Sequence, residues 1–201
     1  MPFYREIALE GDGRLSLWKI TEEEHFPVEL TKNSRKRLAG MKLAGHRRSF
    51  LAVRMLLQRA GLTDHDLLYT PDGRPSLEDG RHISISHSHG FAALYIGTEA
   101  CGIDIEKVST RLQKAKPHFL QSEVVPPGLE PLTIIWTVKE AIYKLSDSRP
   151  LSFLTDLHVS SLDLNSGTGT ACSTFPGWEK EFHFQFERME GYILTWCKEI
   201  W

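Results

Sequence analysis

Apolar and polar residues alternate along most of the chain and switch to a helical period in two places. Alternation over residues 3–10, and again over Leu15, Leu17 and Ile20 with Trp18, predicts two strands parted by the turn Gly11-Asp12-Gly13. Thr21-Glu22-Glu23-Glu24 has the composition of a helix cap with acids in its first turn, so a helix is expected to start there. Residues 32–40 are strongly basic. Phe50, Leu51, Val53, Leu56 and Leu57 then form one face of a helix over 44–60, which Gly61 ends. Tyr69 is read as opening a short strand, and Pro71-Asp72-Gly73-Arg74-Pro75 as a turn. Residues 82–87 alternate, with Ile83 and Ile85 on one face and Ser84 and Ser86 on the other. A break at His89-Gly90 leads to a strand over 91–96.

The second half repeats the same content without a visible sequence repeat. Residues 101–106 read as a strand. Short helices are expected at 109–116 and 119–124, in a region broken by Pro117, Pro126, Pro127, Gly128 and Pro131. A long helix follows at 132–146. Strands are expected at 157–162, 169–175, 180–187 and 191–197, turned by Asn165-Ser166-Gly167, Pro176-Gly177 and Glu190-Gly191. The reading is an α+β chain of two lobes, 1–98 and 99–201, each with strands and one long helix.

Composition narrows the class. With 41% hydrophobic and 25% charged residues in 201, the chain can bury a core and is neither disordered nor a membrane protein. A net charge of −2 argues against a dedicated nucleic-acid binder. Cys101, Cys172 and Cys197 are scattered and odd in number, so neither a disulfide framework nor a zinc ribbon fits, and a reducing compartment is expected. No apolar signal core opens the chain and no run reaches membrane-span length; the cytoplasm is the expected location.

The candidate chemistry lies in two runs. In Cys101-Gly102-Ile103-Asp104-Ile105-Glu106 a strand puts Asp104 and Glu106 on one face and the isoleucines on the other. In Trp136-Thr137-Val138-Lys139-Glu140-Ala141-Ile142-Tyr143-Lys144 a helix puts Glu140 and Lys144 on a common face. A third carboxylate brought to Asp104 and Glu106 makes an all-oxygen site of the kind Mg²⁺ prefers, and a lysine one turn away is placed to meet a phosphate. Taken singly, two acids on a strand are a solvated face and Glu140 with Lys144 is a weak helix ion pair.

These two runs stand in order behind three others: the Leu-Ala-Val-Arg-Met-Leu-Leu run at 51–57 with Arg54, Gly73-Arg74-Pro75, and Ile85-Ser86-His87-Ser88. Together they resemble the 4′-phosphopantetheinyl transferase superfamily, in its two-lobed surfactin-synthetase type, over about residues 35–160. The resemblance implies a pseudo-twofold pair of lobes, each an antiparallel sheet packed on a long helix. It implies transfer of the phosphopantetheine arm of coenzyme A to a serine of an acyl or peptidyl carrier protein, with release of 3′,5′-ADP, by a monomer. It implies Asp104, Glu106 and Glu140 as Mg²⁺ ligands, Glu140 as base and Lys144 as the phosphate-neutralising group. The second lobe then carries the metal and catalytic motifs, and the first is the coenzyme A-binding side. Ser86 and His87 are implied as contacts to coenzyme A phosphates, with Arg37, Arg54, Arg74 and Lys139 along the cofactor; Arg47 is the substitute for Arg37. Lys139 is read equally as a surface residue, and the basic stretch at 32–37 as a solvated helix face or as a surface that steers an acidic carrier.

The chain departs from the family pattern in three places. Ser146-Asp147-Ser148-Arg149-Pro150-Leu151 replaces a glycine-rich segment, the stretch between Glu106 and Trp136 is short, and Arg74 stands where lysine is usual. Two other function classes fit the same residues: a non-catalytic module that binds coenzyme A or a carrier protein, and a metal-dependent phosphohydrolase.

Overall fold

Each long helix of the chain covers one face of an antiparallel sheet. The structure, a computed structural model, describes residues 3–121, 123 and 125–200. Its elements in order are β1 (Phe3–Ala8), β2 (Arg14–Lys19), α1 (Lys32–Gly40), α2 (Ala44–Arg59), β3 (Leu67–Tyr69), β4 (Pro75–Leu77), β5 (His82–Ser88), β6 (Phe91–Gly97), β7 (Gly102–Lys107), α3 (Arg111–Ala115), α4 (Leu129–Leu145), β8 (Leu157–Asp163), β9 (Thr168–Ser173), β10 (Lys180–Met189) and β11 (Tyr192–Glu199). The α+β expectation holds. The chain divides into two compact units, 1–99 and 100–201.

In the first unit a four-stranded sheet has the order β1-β2-β6-β5, and β3 and β4 form a separate hairpin. Ala52, Val53, Leu56 and Leu57 of α2 pack on Trp18, Ala92, Leu94 and Ile96, so the helical period of the sequence is the buried stripe of α2. The helix ends as its glycine requires. Gly61 takes φ +71 to +88 territory that only glycine enters cheaply, at +75, while Leu62 N donates to Leu57 O at 2.9 Å and Gly61 N to Gln58 O at 3.0 Å. At the other end Gly45 lies in the first turn with nothing within 4 Å of an added Cβ. Gly45→Ala is expected to stabilise the protein by about 0.5 kcal/mol, read as a higher urea midpoint at unchanged m.

In the second unit the sheet order is β7-β11-β10-β9-β8, all antiparallel. Phe182, Phe184 and Phe186 of β10 alternate with exposed residues and meet Ile134, Val138, Ala141 and Ile142 of α4. α4 begins at Leu129, earlier than the proline-rich sequence suggests. Pro131 is in its first turn, where the missing amide hydrogen has no helical partner to lose.

Three local expectations are corrected. Thr21–Glu24 does not start a helix; Glu24 bends back to accept from Trp18 Nε1 at 2.8 Å, and Pro27 follows. Tyr69 ends β3 rather than opening it, because Thr70 starts the hairpin turn and bonds Arg74 O from its amide at 2.9 Å. No helix forms at 119–121 or at 123, and Ser122 and Val124 lie outside the described residues. There Phe119 O accepts from the Lys139 side chain instead of from the next helical turn. On β5 the two faces alternate as expected, and the serine face is the deeper: Ser84, Ser86 and Ser88 are buried, Ile83 and Ile85 half-buried.

Candidate functional site

The strand–helix pair β7–α4 is held closer than side chains normally allow. A Cβ on Gly102 would stand 1.9 Å from Ala141 O and 2.8 Å from Ala141 C, so only glycine lets the helix backbone lie against the strand here. Gly102, Asp104 and Glu106 share the strand face that α4 covers. Ile103 and Ile105 fill the opposite face and are fully buried. The acids are therefore not on a solvated face. They rise beside Glu140 and Lys144, which stand on either side of that close approach along α4.

Asp104 is 5% exposed, and the Lys144 ammonium donates to its Oδ1 at 2.8 Å and to Ile103 O at 2.7 Å. Glu106 is half-buried and pairs with Arg111 of α3 at 3.4 Å. Glu140, also half-buried, has its carboxyl pushed up to about 7, first by burial and then by the charge of Asp104, with Glu106 adding to it and Lys144 and Arg111 opposing it. The four residues Asp104, Glu106, Glu140 and Lys144 thus belong to one electrostatic cluster. Among the described residues no three His, Cys, Asp or Glu side chains are arranged as a metal-holding group. The donor set itself is all carboxylate, and its mutual repulsion, visible in Glu140, is the kind that a divalent cation relieves.

Lys139 does not line this cluster, and its reading as a cofactor contact or a surface residue is corrected. It is fully buried; its Nζ donates to Phe119 O at 2.6 Å and to Phe153 O at 2.9 Å and pairs with Glu123. It points some 100° around the helix from Glu140, as neighbours in sequence do.

The cationic residues of the first unit fall into separate settings. Arg54 is 3% exposed and turns inward: Nε donates to Asp64 Oδ1 at 2.9 Å, and the guanidinium also reaches Phe50 O, Ser34 Oγ and Tyr69 Oη. Its fork is spent inside the unit, so the expectation of a direct cofactor contact is corrected to one of support. Asp64 takes the Thr31 amide and the Ser34 hydroxyl as well, which ties the start of α1 to α2. Arg37 lies one turn on, with its guanidinium 4.7 Å from the centre of the Tyr69 ring. It lines a pocket of about 760 Å³ with Lys32, Asn33, His65, Leu68 and Tyr69. Arg74 is half-buried in the β3–β4 turn, its amide held by Thr70 Oγ1 at 3.0 Å. On β5, Ser86 is buried and His87 exposed. Arg47, the substitute for Arg37, is exposed on the first turns of α2.

Asp64, Arg111 and Glu123 were not singled out in the sequence. Each acts through a partner distant in the chain or a loop neighbour, and none carries a periodic or spacing signal of its own.

No helix among the described residues is long and apolar enough to cross a membrane. Cys101, Cys172 and Cys197 are free thiols, and burial pushes Cys101 up to about 12. The family model of the 4′-phosphopantetheinyl transferase superfamily matches residues 100–197, the second unit almost end to end. No curated protein matches the chain.

Proposed function

We propose that the protein transfers the 4′-phosphopantetheine group of coenzyme A to a serine of an acyl or peptidyl carrier protein and releases 3′,5′-ADP. The observation that carries this reading is the cluster of Asp104, Glu106, Glu140 and Lys144, set on one strand–helix pair inside the unit that the superfamily model matches. Glu140, on the face of α4 beside Asp104, is the proposed base for the attacking serine hydroxyl, directly or through a water. Lys144, one helical turn on, is placed to neutralise charge on the transferring phosphoryl group or the leaving 3′,5′-ADP.

Asp104, Glu106 and Glu140 would hold Mg²⁺. When bound, the ion supplies neutralisation of the pyrophosphate and of the transferring phosphoryl group. Arg37, Arg74, Ser86 and His87 of the first unit are the proposed contacts to coenzyme A, with Arg37 or His87 at its 3′-phosphate. Arg37 is the best supported, because it lines an open pocket while Arg54 behind it does not.

The test is direct. Purified protein, coenzyme A, Mg²⁺ and a panel of apo carrier proteins are expected to give the phosphopantetheine mass increase on the carrier serine. Coenzyme A binding with no transfer to any carrier would favour a binding module instead. Coenzyme A cleavage in the absence of carrier would favour a phosphohydrolase.

Glu140 also predicts a pH dependence of stability. Its folded pKa, about 7, lies above the value of 4.5 expected when unfolded, so the folded state holds the extra proton between those values. Ionising Glu140 then costs on the order of 3 kcal/mol, a cost absent below about pH 4.5 and complete above about pH 7. Glu140→Gln is therefore expected to raise the unfolding free energy at pH 8 and to leave it unchanged near pH 4.5. Added Mg²⁺ is expected to stabilise the wild type at pH 8 and the variant much less. Equal denaturant midpoints for both proteins across this range would remove the basis for a strained carboxylate.

A further inference from the structure

We propose that Lys139 is a positioning residue, a clamp that joins the segments before and after α4 and thereby fixes an aromatic wall beside Glu140. An ammonium group has three hydrogens to give and no lone pair. Lys139 is fully buried and meets three acceptors: Phe119 O at 2.6 Å, Phe153 O at 2.9 Å and the Glu123 carboxylate. Phe119 and Glu123 lie in the segment that leads into α4, and Phe153 in the segment that leaves it. One side chain in the middle of the helix therefore satisfies backbone on both flanks.

The residues so held are not remote from the acids. The Phe119 ring packs edge-on against Trp136 at 5.0 Å; Phe153 lies 5.4 Å from Trp136 and 5.6 Å from Tyr143. Trp136 is four residues before Glu140 and Tyr143 three after it, so both flank the Glu140 face of the helix. Tyr143 is 39% exposed and forms the open end of the wall. A plain packing role would be served by any residue of lysine's volume. The three acceptors distinguish the cases, because an apolar residue fills the space but leaves both carbonyls without a donor and the Glu123 carboxylate without its counter-charge.

The functional half of this inference rests on the transferase reading. There Glu140 faces the acceptor serine, so the wall bears on the carrier protein and not on coenzyme A. The experiment compares the wild type with Lys139→Met and Glu123→Gln. The second variant weakens the clamp while keeping both carbonyl bonds.

Lys139→Met is expected to speed amide hydrogen exchange at 119–121 and 150–154 at least about tenfold, with β10 and β11 unchanged. In the transfer assay it is expected to raise KM for the carrier about tenfold and to leave KM for coenzyme A within about twofold. Glu123→Gln is expected to move the same quantities in the same direction by about threefold. Unchanged exchange at both flanks in either folded variant overturns the clamp. A fall in kcat alone, or an equal rise in both KM values, overturns its bearing on the acceptor. A wild type that transfers nothing defeats the transferase reading, and the exchange data then decide the clamp by themselves.

Discussion

Asp104→Ala is expected to lower phosphopantetheine transfer by about a thousandfold or more while the protein unfolds at nearly its wild-type midpoint. The two halves of that expectation come from different contacts. Asp104 is buried, yet it faces polar groups and not the core: its oxygen meets Lys144, and its charge is one of the causes that raise Glu140. Removing it takes away a strong acceptor in the cluster and lets the Glu140 carboxyl fall toward its ordinary value. It also leaves Lys144 with Ile103 O and a quarter of its side chain in solvent, so no cation is stranded in the interior. The loss of one partly exposed pair and the easing of one repulsion offset each other to within about 1 kcal/mol. Single-turnover mass spectrometry on a carrier, run beside a denaturant titration, checks both. Transfer within tenfold of wild type would remove Asp104 from the chemistry. A collapsed midpoint would recast it as a structural residue.

Arg54→Met is expected to destabilise the protein by about 3 to 5 kcal/mol, because it leaves the Asp64 carboxylate buried without its counter-charge. The side chains of Arg54 and Asp64 are 3% and 1% exposed, so water cannot take the place of the lost partner. Burial alone would push the Asp64 carboxyl up. The Thr31 amide, the Ser34 hydroxyl and Arg54 outweigh it and hold the group below its ordinary value. A depressed carboxyl contributes stability above its unfolded pKa and loses it as the pH falls through the folded one. The wild type should therefore shed this support only in acid. Changing Asp64 to leucine in the same molecule removes the stranded charge and is expected to restore about half of the loss or more. A single variant within about 1 kcal/mol of wild type would show that the pair is not the anchor of α1. Because Arg37 sits on the same helix, the variant should also disturb the pocket that Arg37 lines.

The sequence is informative where one element carries its own period. The stripe Val53, Leu56, Leu57 and the alternating Phe182, Phe184, Phe186 are buried as their spacing says, and the two acid-bearing runs do meet. It is silent where a side chain answers to a distant partner. Lys139 and Glu140 are adjacent letters in one motif, yet one is locked among carbonyls and the other belongs to the acid cluster; nothing in the spacing separates their roles. Arg54 has the same history: its place on α2 is plain, but Asp64, which turns it inward, comes from the loop after Gly61 and has no pattern to announce it. The absent helix at 119–121 arises in the same way, from Lys139 taking the Phe119 carbonyl that local preference assigns to a helix; at Thr21–Glu24 the capping contact itself forms, Thr21 N donating to Glu24 Oε2 at 3.5 Å, while Trp18 holds the other oxygen.

Replacing glycine in a folded element by alanine is a standard route to a tougher protein, since it narrows the unfolded ensemble. Gly45 is open to that route, with free space around it. Gly102 is closed to it, because the space a methyl would need is already filled by the Ala141 carbonyl. The span between β7 and α4 is set by an absent side chain, and that span also sets how near Lys144 comes to Asp104. Directed evolution of this unit therefore meets an asymmetric landscape. Its acids can be exchanged one at a time at little cost to folding, while a single methyl at position 102 moves the fold and the chemistry together.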